Sequence, residues 1–236
     1  MVVSFITFAG FAARLIVILW GRKGPVGILE LLNVATDSSI PTWYSSLSLL
    51  FCSILLAAIT VAKKRQGGSY AVHWGILAGL FLLMSIDEVA AIHERVGGAL
   101  GRALVSAAGF TPSGLIYYAW VVPGIALVFV VVLAYLRFLA HLPKSTLLFF
   151  LLAGGIFLAG AIGMEMLGAL LDYEVRDPSN STHITYAVVV AIEESLEMLG
   201  IVVLIYALLS YVRCHAEEAA TIRLRIDDEH KQATGR

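Results

Sequence analysis

Acidic residues stand in three hydrophobic segments of this chain where a lipid-facing helix carries none. They are Asp87-Glu88 followed by His93-Glu94, then Glu165, then Glu193-Glu194 with Glu197. A charged side chain at the bilayer centre costs roughly 2.5–3.5 kcal/mol on the gentlest scale, so several left unpaired oppose insertion by on the order of 15 kcal/mol. Cations or protons must offset that cost.

Helical spacing gathers these groups by face. Glu193 and Glu197 are four residues apart and Glu194 and Glu197 three, which places all three within an arc of about 100°. Asp87 and Glu94 lie seven apart on one expected stripe with Ala90 and Ala91 between them, and Glu165 and Asp172 repeat the spacing around Gly168 and Ala169. Small residues there leave room for an ion or for close helix contact.

Carboxylates projecting inward from several helices, with a histidine, are how helical bundles make oxygen-rich dinuclear metal sites. The expected ligands are Asp87, Glu88, His93, Glu165, Glu194 and Glu197, holding one or two divalent ions, with iron, manganese or zinc favoured. Glu193 is the expected general base. The absence of a nearby cysteine argues against copper(I) and iron–sulfur clusters. The Glu-x-x-His pair of soluble di-metal bundles is incomplete here: the i, i+3 pair is Glu194 with Glu197, and His93 follows Glu88 by five. The plainer alternative is that the acids are protonated or paired with Arg14, which falls at a similar depth but can neutralise only one or two of them.

The elements that must position these residues follow from composition. The chain has 236 residues, 59% hydrophobic and 14% charged, with a mean hydropathy of +0.88. Soluble domains run near a quarter charged, so this pattern marks an all-α integral membrane protein. Apolar runs long enough to cross about 30 Å of hydrocarbon occur near Val2–Trp20, Trp43–Ala62, His73–Ile92, Leu115–Leu136, Thr146–Leu171 and Ile184–Val212. They predict a bundle of about six transmembrane helices over 1–212, followed by a charged tail at 213–236. Pro25–Ala35 is too short to span and reads as interfacial or re-entrant.

Lys63, Lys64, Arg65, Arg137, Lys144 and Arg213 fall in connections on one side of a six-helix count, against Arg22, Lys23, Arg95, Arg102 and Arg176 on the other. The positive-inside rule then puts both termini in the cytoplasm and the chain in the plasma (inner) membrane, with the acids in the outer half. The net charge of -1 and the lack of a basic stripe interleaved with aromatics set nucleic acid aside as a partner. The two cysteines, Cys52 and Cys214, form no CxxC pair. The glycines Gly154, Gly155, Gly160, Gly163 and Gly168 read as helix-packing positions.

Two function classes fit. One is a metal-dependent membrane enzyme acting on an apolar or lipid-like small molecule that enters from the bilayer. The other is a divalent-cation or proton-coupled transporter using the same carboxylates. The inner stretches at 75–84, 146–161 and 199–209 carry almost nothing ionisable, which favours a one-sided site and hence the enzyme.

Overall fold

In a computed structural model the described residues are 2–20, 29, 31–32, 39–108, 121–175 and 183–234. They form helices and the turns between them, with no strand among the described residues. In chain order the helices are α1 (Val2–Trp20), α2 (Ile40–Arg65), α3 (Ala71–Ala90), α4 (Ile92–Ala108), α5 (Val121–His141), α6 (Lys144–Leu158), α7 (Glu165–Val175) and α8 (His183–Thr234). A π-helical segment, Ala159–Met164, joins α6 to α7 without a break.

Four helical stretches are long and apolar enough to cross a membrane: Ile40–Arg65, Ala71–Ala90, Pro123–His141 and Lys144–Gly168. The protein is therefore an all-α membrane protein, with four such stretches among the described residues, a number that does not establish the expected six-helix bundle. The first expected run, Val2–Trp20, is helical over its whole length as α1. The sixth lies within the 52-residue helix α8, whose apolar part carries Glu193, Glu194 and Glu197 and which runs on without interruption past 213 to Thr234. The expectation for Pro25–Ala35 falls largely outside the described residues. Apolar side chains such as Leu127, Phe129 and Val130 on α5 point outward, as a lipid-facing surface requires.

The start of α2 is set by Ser39, whose hydroxyl accepts the Thr42 N–H at 3.3 Å, with Pro41 in the first turn. The helix closes on Lys63, Lys64 and Arg65, cations placed at the negative end of its dipole. Gly67, at φ 63°, then makes the turn that an L side chain resists.

Antiparallel pairing of α2 with α3 rests on small polar residues. Ser46 Oγ donates to the Ser85 carbonyl at 2.8 Å, and Ser85 Oγ donates back to the Ser46 carbonyl at 2.9 Å. Seven residues along each helix, Ser53 Oγ donates to the Ala78 carbonyl at 2.7 Å. Serine is small enough to let the backbones approach, and in lipid the hydroxyl has no water to bond instead.

Helix α8 is the central post, packed against α6, the π segment, α1, α2 and α7. A buried core of Leu49, Leu56, Trp74, Phe138, Ile201 and Leu208 ties α2, α3, α5 and α8 together.

Candidate functional site

The first acidic pair sits at a helix break. Asp87 ends α3 at Ala91, whose backbone is left-handed (φ 47°, ψ 45°) and whose N–H donates to the Asp87 carbonyl at 2.7 Å. A non-glycine residue in this region costs on the order of 1 kcal/mol and persists where its surroundings enforce it. Here the enforcement is Asp87 itself. Its Oδ1 accepts the backbone N–H of His93 at 2.9 Å, and its Oδ2 accepts from His93 Nδ1 at 2.6 Å. The carboxylate thus caps the first turn of α4, where backbone N–H groups lack helical partners.

This break corrects the expectation that Asp87 and Glu94 share one stripe of a continuous helix. Ala91 turns the chain between them, so a seven-residue spacing no longer keeps them on one face. The Glu94 and Asp172 side chains lie outside the described ones. Asp87 and His93 are brought together as a pair, with the imidazole donating from Nδ1 and its orientation set by the carboxylate.

A second group forms where α3, α7 and α8 meet. Glu197 lies within electrostatic reach of Glu194, Glu88 and Glu165. Two of these neighbours come from other elements: Glu88 from the last turn of α3 and Glu165 from the first residue of α7.

The approach of the chain to α8 that delivers Glu165 depends on glycine. A Cβ built at Gly160 would stand 2.9 Å from the Glu193 carbonyl oxygen and 2.9 Å from Glu197 Cγ, closer than real Cβ contacts come. One turn further along α8, a Cβ at Gly200 would meet the Phe157 nitrogen at 2.8 Å and the Ala153 carbonyl at 2.9 Å. Of the five glycines at 154–168, Gly160 is the one that makes such a close approach, while Gly154, Gly155 and Gly163 have nothing within 4 Å. Wide π turns alter the phase of a helix and occur often at functional sites. This one separates Gly160, seated against α8, from Glu165.

Of the expected ligands, Glu88, Glu165 and Glu194 each act electrostatically on Glu197, and Asp87 and His93 hold each other. Glu193 is half-buried, its carbonyl against Gly160. Among the described residues, no group of three or more His, Cys, Asp or Glu side chains is arranged to hold a metal ion.

The expected pairing of Arg14 with the acids is not what the structure has. The Arg14 guanidinium lies over the Tyr186 ring, 5.5 Å from its centroid, and its buried Nε has no hydrogen-bond partner. Tyr186 is about 11 Å along α8 from Glu193 at 1.5 Å per residue. Arg14 therefore makes a cation–π contact in place of an ion pair.

Two features escaped the sequence reading. One is the serine ladder, whose signal was the seven-residue spacing of Ser46 and Ser53 inside an apolar run. The other is an open, mostly apolar groove of about 840 Å³ between α1 and α8, lined by residues including Val3, Phe11, Tyr44, Ser195 and Leu199. It depends on which helix packs beside α8, and no motif announces it.

The fold defines an all-α membrane protein with acidic residues inside its apolar helices. The chain belongs to the family described as a domain of unknown function (DUF8692), matched over residues 3–212. No curated protein matches the chain, and no solved structure does.

Proposed function

We propose that the chain is a multi-pass protein of the plasma (inner) membrane, with both termini cytoplasmic, that acts as a metal-dependent enzyme on an apolar or lipid-like small molecule. The observation that carries this proposal is the convergence of Glu88, Glu165 and Glu194 on Glu197. Four carboxylates at membrane depth repel one another, and a divalent cation offsets that repulsion while gaining oxygen ligands.

In this proposal the four glutamates hold one or two ions, with iron, manganese or zinc preferred. Asp87 orients His93 through Nδ1, the arrangement in which histidine presents its other nitrogen to a metal. Glu193 serves as general base. The α1–α8 groove supplies an apolar approach along the helix that carries Glu194 and Glu197.

A second proposal, transport of protons or divalent cations through the same carboxylates, is favoured by one observation. Among the described residues no three such side chains are arranged around a common ion, and proton-carrying acids need no such convergence.

The deciding experiment is elemental analysis of the detergent-purified full chain after chelator washing, wild type beside Glu194→Ala. Stoichiometric iron, manganese or zinc in the wild type and its loss in the variant support the metalloenzyme. Metal absent from a well-folded wild type removes it and leaves transport, read next as flux in proteoliposomes.

A further inference from the structure

At the end of the bundle away from the acids, the ends of α2, α3 and α5, the turn into α6 and the flank of α8 enclose a cavity of about 140 Å³. Its walls include Lys63 from the last turn of α2, Tyr70 and Trp74 at the start of α3, His141 closing α5, and Tyr211 and His215 of α8. Among the described residues no aspartate or glutamate lines it.

The walls are held in place by specific contacts. The Lys63 ammonium sits 5.6 Å from the Tyr211 ring centroid. His215 Nδ1 donates to the Tyr211 carbonyl at 3.0 Å, which fixes that imidazole against the helix. Tyr70 has a left-handed backbone (φ 63°, ψ 17°) and directs its ring between His73 and His141, each 5.0 Å away between centroids. Such a conformation in a bulky residue costs of order 1 kcal/mol and clusters at ligand sites, where the surroundings enforce it.

The chemistry of the lining selects the occupant. Among the described lining residues the one formal charge is the Lys63 ammonium, which disfavours a cation, and an apolar occupant leaves that ammonium unmatched by an acid. An anion of small volume satisfies both. Lys64 and Arg65 follow the lining Lys63 at the end of α2, and Lys144 follows the lining Pro143 at the start of α6, so basic residues gather at the face where the cavity lies. Basic pockets between transmembrane helices at such a face bind anionic headgroups.

We infer that this cavity binds a phosphate-type anion, carried either on the headgroup of an anionic lipid or as inorganic phosphate, with Lys63 and His141 as its principal partners. The site is separate from the four-glutamate group, and its occupancy does not depend on the metal.

The test uses the full chain, delipidated in detergent. Native mass spectrometry compares retention of dioleoyl phosphatidate with that of zwitterionic dioleoyl phosphatidylcholine, and calorimetry measures inorganic phosphate. Preferential retention of phosphatidate, reduced about fivefold by Lys63→Gln, supports the inference with a lipid source. Saturable phosphate heat that Lys63→Gln removes supports it with a free-phosphate source. His141→Gln, at an exposed position, repeats the measurement should Lys63→Gln lower the melting temperature. Lys64→Gln, at an exposed residue that does not line the cavity, should leave binding within about twofold. Equal retention of the two lipids together with no phosphate heat overturns the inference, as does an equal loss from Lys63→Gln and Lys64→Gln.

Discussion

Asp87 binds His93 through both carboxylate oxygens, one on the backbone N–H at 2.9 Å and one on Nδ1 at 2.6 Å, across a helix break at Ala91. The same aspartate thereby ends one helix, starts the next and orients an imidazole. Asp87→Ala removes all three functions. Loss of a capping side chain costs about 0.5–2 kcal/mol, so the purified variant should melt several degrees below wild type. Asp87→Asn, which can still accept the backbone N–H, should recover part of the loss. Equal melting temperatures for wild type and Asp87→Ala would contradict the capping role.

Gly160 and Gly163 lie three residues apart in the π segment and meet different surroundings. A methyl group at Gly160 collides with the Glu193 carbonyl and Glu197, whereas one at Gly163 meets nothing within 4 Å. Gly160→Ala should cost about 1–3 kcal/mol, as overpacking does, and Gly163→Ala should be near neutral. Thermal melts of the two variants side by side check the difference; comparable losses would place the close contact elsewhere.

Glu197 tests whether a cation balances the acids. In chelator, Glu197→Gln removes one of four like charges and should melt above wild type. With iron, manganese or zinc restored, the wild type should gain stability that the variant lacks, since a bound ligand stabilises only the state that binds it. An unchanged order of melting temperatures in both conditions argues for proton-carrying acids and against a metal.

Ser46 and Ser85 exchange hydrogen bonds between α2 and α3. Interhelical bonds of this kind are worth about 0.6 kcal/mol on average and up to about 1.7 in lipid. Ser46→Ala and Ser85→Ala should each cost an amount in that range. The double variant should cost less than the sum of the two, because the pair shares its partners. Strict additivity would mean that the two hydroxyls act independently.

Membrane class and the identity of the unusual residues were legible in the sequence, because both depend on local properties. A run of about twenty apolar residues is costly in water and stable in lipid wherever it occurs, and a carboxylate inside such a run is conspicuous by itself. The electrostatic link of Glu197 to Glu194 follows from their three-residue spacing within one helix, whereas its link to Glu88 and Glu165 joins residues of other helices. The stripe joining Asp87 to Glu94 was misjudged because periodicity assumes an unbroken helix, and Ala91 breaks it.

What tertiary structure decided was every relationship between helices. The cation–π seat of Arg14 on Tyr186, the close approach of Gly160 to Glu197, the serine ladder, the α1–α8 groove and the basic cavity all join residues far apart in the chain. Hydropathy specifies which residues leave water but is indifferent to which apolar helix lies beside which. That choice is made by shape and by the few polar groups that must find partners where no water reaches them.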